Sequence, residues 1–165
     1  MNMANPREHV PAIERSNRVI KERVRAGFHV LPFSRLPKIL VQYFVMESAK
    51  KLNYFPPKGG ISPYYSPRMI VHHENLEFEK HCEIPFGHYV QAHDEPTHKN
   101  SLAPRTRDCL YLRYVSNQQG GHELLDLRTK KVIKRGKVTL VPMTNDVIAV
   151  VHAMADAEGA PQGLD

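Results

Sequence analysis

Glu14, Arg18, Lys21 and Arg25 follow one another at steps of four, three and four residues. These steps stack side chains above one another on one face of an α-helix. One carboxylate thus leads a ladder of cations, with Arg15 beside it. Two kinds of chemistry suit the pattern. A solvated helix face would use it for i,i+4 ion pairs, each worth about 0.3–0.5 kcal/mol. A phosphate-binding face would set the cations against a polyanion and offer the carboxylate to a hard divalent cation such as Mg²⁺, which takes oxygen ligands. Such a cation ordinarily needs at least a second carboxylate and phosphate oxygens, so Glu14 is part of a site and not the whole of one.

The second basic feature runs from Arg128 through Lys130, Lys131, Lys134 and Arg135 to Lys137, without an acid among them. Strand side chains alternate faces, so these cations do not all point one way. A hairpin of this kind either lies along a phosphate backbone or is an edge kept soluble by lysines. His72, His73, His81, Cys82, His88, His93 and His98 fall in one stretch. They lack the Cys-x-x-Cys and helical His-x-x-x-His spacings of zinc sites, and structural or surface histidines are expected. Lys58-Gly59-Gly60 is not a Walker A loop, and the GxGxxG and GxSxG patterns are missing.

The elements that must position these residues read in two halves. Val10, Ile13, Ile20, Val24 and Phe28 share a stripe at helical steps, which predicts a helix from residue 6 or 8 to 28, with Asn5 as N-cap and Pro6 at its first position. A second helix is expected over 37–53, apolar around most of its circumference and ended by Pro56-Pro57. Residues 61–83 read as loop-rich, with a short helix near 63–71. Period-two patterns then predict strands over 86–93, 109–115, 122–127 and 131–141, the last interrupted at Gly136. Such strands with tight turns suit a small antiparallel barrel or meander. The tail reads as a helix from Asn145 that frays into disorder from Glu158.

Composition bounds the partners. With 165 residues, 41% of them apolar, the chain can bury a core. Lys+Arg of 23 against Asp+Glu of 17 leaves a formal charge of +6, which suits a polyanionic partner. No apolar run approaches the roughly 18 residues of a membrane span, and the first ten residues carry no signal-peptide pattern. Two cysteines are too few for a disulfide scaffold, so an intracellular setting with reduced thiols is expected.

Several stretches taken together resemble the integrase of copia-type long-terminal-repeat retrotransposons. Ile13-Glu-Arg-Ser-Asn-Arg-Val-Ile-Lys-Glu-Arg23 is similar to that family's catalytic-glutamate helix. Asn53-Tyr-Phe-Pro-Pro-Lys-Gly-Gly-Ile-Ser-Pro63 is similar to the segment after its last core helices. Phe86-Gly87, Cys109-Leu-Tyr-Leu112 and Gly121-His-Glu-Leu-Leu-Asp-Leu-Arg-Thr-Lys-Lys-Val-Ile133 are similar to the region that follows. The resemblance spans residues 10–143.

It implies an α+β fold: C-terminal helices of a truncated ribonuclease-H-like core over 1–60, a linker over 61–83, a small Src-homology-3-like β-barrel over 84–143 and a partly disordered tail over 144–165. It also implies a two-metal Asp-Asp-Glu polynucleotidyl transferase using Mg²⁺ or Mn²⁺. Glu14 matches the glutamate. Arg15, Arg18, Lys21 and Arg25, with Lys130, Lys131, Lys134, Arg135 and Lys137, are the expected DNA contacts. Both aspartates belong upstream in the family, yet Asp94 is the first Asp here. The chain is therefore expected to be a polyprotein fragment, inactive by itself and without a metal of its own. Expected partners are element ends and target DNA, an upstream integrase core or a second copy, and no membrane. In a eukaryotic host the intact element's cycle implies the nucleus. Two other readings stay open: a non-catalytic protein-interaction module, and a decayed remnant without function.

Overall fold

The computed structural model describes residues 11–94, 104–115 and 120–164, the Ala12 side chain excepted. The helix start at residues 5–10 and His98 lie outside them. Helix α1 (Pro11–Phe28) carries Glu14 in its first turn and Arg25 in its last, each complementing the helix dipole. Of the described part of its apolar stripe, Val24 is buried and Ile20 and Phe28 pack beside it, whereas Ile13 is 59% exposed. Helix α2 (Lys38–Lys51) lies against α1. Gly27 lets the two helices approach closely, since a Cβ there would stand 2.7 Å from the Phe44 ring.

The second helix was expected to be buried around most of its girth. In fact Leu40, Phe44 and Glu47 are buried, while Val45 and Met46 are exposed. Two short helices follow, α3 (Pro67–His72), capped by Ser66 Oγ accepting from Met69 N, and α4 (Phe78–His81). The second of these lies in the stretch that reads as loop.

Strands β1 (Tyr89–His93), β2 (Thr106–Tyr114), β3 (His122–Asp126), β4 (Val132–Arg135) and β5 (Val138–Leu140) form one antiparallel sheet in the order β4-β3-β2-β1-β5. The last expected strand is indeed broken at Gly136, and its two halves go to opposite edges. Arg135 and Val138 are three positions apart in the chain, so the sheet must curl until its edges approach. No ladder joins β4 to β5, and the sheet is not closed.

Curling gives the sheet an inner and an outer face, both buried. Along β2, Cys109 and Tyr111 join Val90, Ala92 and Leu124 in one cluster, with Ile133 and Val138 beside it. Leu110 and Leu112 join the other cluster, with Leu125, Leu40, Phe44 and Val24. Burial on both faces explains why 109–112 is a continuous buried run and not an alternating one. Helix α5 (Asn145–Ala157) covers the outer face with Val147, Val151 and Met154. The Phe44 and Phe86 rings stack at 4.9 Å between helix and sheet, a geometry worth about 1 kcal/mol beyond area burial. This larger core is therefore shared by residues from 1–60, 84–143 and 144–165.

The tail beyond Glu158, which reads as disordered, folds back. Gly163 N donates to Ser34 O at 2.9 Å, and Arg35 pairs with Asp156 at 2.9 Å. Glu158 Oε2 accepts from Lys38 N at 2.6 Å. Pro37 offers α2 no side-chain cap, so a carboxylate distant in sequence satisfies that terminus and faces the positive end of its dipole.

Two expectations follow. Glu158→Ala should lower stability by about 1 kcal/mol, the ordinary value of a lost cap, read as a lower urea midpoint at unchanged m. Gly87 has φ +78 and a Cβ there would meet Leu31 Cδ2 at 2.9 Å, whereas nothing lies within 4 Å of one at Gly136. Gly87→Ala should therefore cost about 1–3 kcal/mol and Gly136→Ala almost nothing. Equal midpoints for the two variants would show that the Gly87 backbone is not so constrained.

Candidate nucleic-acid interface

Helix α1 places Glu14, Arg18, Lys21 and Arg25, with Asn17 and Glu22, around one shallow surface concavity. The four are exposed, as is Arg15. Arg18 Nε donates to Glu22 Oε1 at 2.9 Å, one turn on. That pair stands in solvent, with side chains 81% and 57% exposed, so it holds Arg18 only weakly. Lys21 and Arg25 also border an apolar groove between α1 and α2 formed by Ile20, Val24, Val41, Val45 and Leu164.

The hairpin cations divide. Lys130 sits at the turn with φ 59, and Arg128, Lys130, Lys131 and Lys137 are exposed. Lys134 Nζ lies 3.5 Å from Glu123 Oε1. Arg135 turns inward: its Nη2 donates to Asp94 Oδ1 at 3.0 Å and its Nη1 to Lys134 O at 2.8 Å. Asp94 also accepts from Arg107 Nε at 2.8 Å, and Arg107 Nη1 stands 3.5 Å from Asp126. Arg135 therefore belongs to a chain of charges that ties the ends of β1, β2, β3 and β4 together. Partial burial opposes the Asp94 charge, but the Arg135 and Arg107 hydrogen bonds outweigh it and hold its carboxyl below the usual range. Asp126 behaves likewise: burial raises it, and the backbone N–H groups of Thr129 and Arg128 at 3.0 and 2.8 Å bring it down.

The helical strip and the hairpin belong to different layers: α1 packs on α2, and the hairpin is one edge of the sheet. Glu22 is engaged by Arg18, and among the described residues no group of three or more His, Cys, Asp or Glu could hold a metal ion. No helix of the described residues is long and apolar enough to cross a membrane. Cys109 is buried, and that burial pushes its thiol up to about 12, so it is not a nucleophile at neutral pH.

Sequence reasoning missed a buried charge cluster where α2 meets β2 and β3. Arg113 Nε donates to Glu123 Oε2 at 2.6 Å, and the guanidinium lies 5.3 Å over the Tyr43 ring. Glu47 is 6% exposed; Lys50 Nζ stands 4.0 Å from its Oε1, which has no hydrogen-bond partner. A signal was there, because Glu47 follows Leu40 and Phe44 at steps of seven and three and so falls on the buried stripe.

No protein-family model matches this chain, and no curated protein or solved structure does.

Glu47 generates a pH expectation. Burial raises its pKa from the ordinary 4.5, against the pull of Lys50, Lys51 and Arg113 and with a push from Glu123. A raised carboxyl contributes stability that is complete below the unfolded pKa and lost as pH rises through the folded one. Asp94, Asp126 and Glu123 are lowered and act in the opposite sense, their contributions fading as pH falls. Glu47→Gln should match the parent protein in stability near the acid end and gain on it as pH rises, by about 1 kcal/mol once the parent's buried carboxyl has ionised, read from urea unfolding across pH. A variant less stable at neutral pH would mean that the pull of Lys50 and Arg113 outweighs burial.

Proposed function

We propose that this chain binds DNA through phosphate contacts, as the DNA-binding part of a copia-type integrase region. The observation that carries the reading is the α1 strip, where Arg18, Lys21 and Arg25 stand exposed around one concavity. Their seven-residue span is about 10 Å of helix, and a DNA duplex carries about six charges over that length. Arg15, Lys130, Lys131, Lys134 and Lys137 are exposed as well, Lys134 with its Nζ 3.5 Å from Glu123. Arg135 serves the fold through Asp94. In this reading α1 and α2 are the closing helices of a ribonuclease-H-like core, and the curled sheet is a Src-homology-3-like module. Glu14 is the single family carboxylate at the strip, and the catalytic metals of the family, Mg²⁺ or Mn²⁺, would need ligands beyond those described here.

Binding of this kind is independent of base sequence and strongly salt-dependent. With about four phosphates contacted, affinity for a duplex should fall about a hundredfold between 50 and 200 mM salt. Arg18→Ala with Lys21→Ala should flatten the dependence of log affinity on log salt by about two units. Both variants lie on an exposed face, so the thermal melt should stay put. Fluorescence anisotropy with two unrelated duplexes reads all of this. Affinity that ignores salt, or an unchanged slope in the double variant, would refute the assignment to α1.

A further inference from the structure

Between Ser48 and His73 the chain carries Lys50, Lys51, Lys58 and Arg68 and no carboxylate. The same stretch turns Phe55, Tyr64 and Tyr65 to solvent, at 66%, 85% and 55% exposure. Burying these rings elsewhere would be favourable, so three of them exposed within eleven positions call for a partner. Their exposure does not come from a loose chain. Ser62 Oγ accepts from Tyr64 N at 3.1 Å and Tyr65 N at 3.0 Å, which fixes the turn that presents both rings. Gly60 N donates to Pro57 O at 3.0 Å, and Pro56, Pro57, Pro63 and Pro67 restrict the backbone on both sides.

Beneath, buried Arg68 anchors the segment. Its backbone N donates to Asn53 O at 3.1 Å, its Nη2 reaches Glu74 Oε2 at 2.6 Å, and it lies over the Tyr54 ring at 5.9 Å. Lys51 and Lys58 remain exposed, four positions before and three positions after Phe55.

We propose that this loop is a binding site for single-stranded nucleic acid, with bases stacked on Phe55, Tyr64 and Tyr65 and phosphates held by Lys51 and Lys58. Aromatic faces interleaved with cations suit unpaired bases, which present π-faces and carry phosphates alongside. A duplex keeps its bases stacked internally and has no use for these rings. From residue 48 to 73 the chain has cations and no carboxylate, and Glu74 just beyond is engaged by Arg68, so the charge of the loop favours a polyanion. The site extends the nucleic-acid reading to unpaired strands but uses none of the α1 residues.

The test compares a thymidine oligonucleotide of about 15 nucleotides, near the ordinary upper site size, with an abasic strand of equal length and charge. The thymidine strand should bind at least about thirtyfold tighter, the lower end for stacking on two rings. Tyr64→Ala with Tyr65→Ala should erase that preference, and Tyr64→Phe with Tyr65→Phe should keep it, with duplex affinity unchanged in both. Equal affinity for the two strands, a preference that survives the alanine pair, or an oligomeric state that changes with it would overturn the proposal. In the last case the loop is a contact between copies. The Arg18→Ala, Lys21→Ala protein separates the two readings, since it should lose duplex affinity and retain the thymidine preference.

Discussion

The two halves of the final strand stand at opposite edges of the sheet with only Gly136 and Lys137 between them. That covalent constraint forces the curl, and much else follows from it. The inner face takes Val90, Ala92, Cys109, Tyr111 and Leu124, with Ile133 and Val138 packed beside them. The outer face is convex and apolar, and α2 and α5 cover it with one core. Where the edges approach, Asp94 receives Arg107 from β2 and Arg135 from β4, so the curl is held by charge as well as by chain connection. Gly136 itself is in open space. The bend is therefore a property of the pairing partners on either side and not of the glycine.

The net charge of +6 is divided by this architecture. Arg35, Arg68, Arg107, Arg113 and Arg135 are each engaged by a carboxylate, most of them where one element meets another. Guanidinium groups suit that work because their planar forks hold two acceptors at once. The cations left on the surface are chiefly lysines and the arginines of α1, and among these Arg18, Lys21 and Arg25 share one helical strip. Fold and proposed function thus draw on different members of one basic composition.

Local features of this chain were legible one by one. The end of α1 at Phe28, the second helix, the sheet strands, the break at Gly136 and the helix from Asn145 all follow from periodicity and from glycine and proline punctuation. Short-range patterns report such features well because the forces behind them act within a few residues. Glu47 was within reach for the same reason, since its helical step placed it on the buried stripe. The helix α4, only four residues long, gave no periodic signal to read.

By itself the amino-acid order determined the longer helices and the strands, the presence of a cationic ladder led by Glu14, and a basic stretch from Arg128 to Lys137. Only the tertiary structure decided which of those cations face solvent. Arg135 and Lys134 share one short strand, yet one is drawn to Asp94, forty-one positions earlier, and the other lies near Glu123. It also decided that Glu158 caps α2 and that Phe44 stacks on Phe86. These are contacts between residues far apart in the chain. Their partners are set by how layers pack and by the curl of the sheet, and no local pattern carries that information.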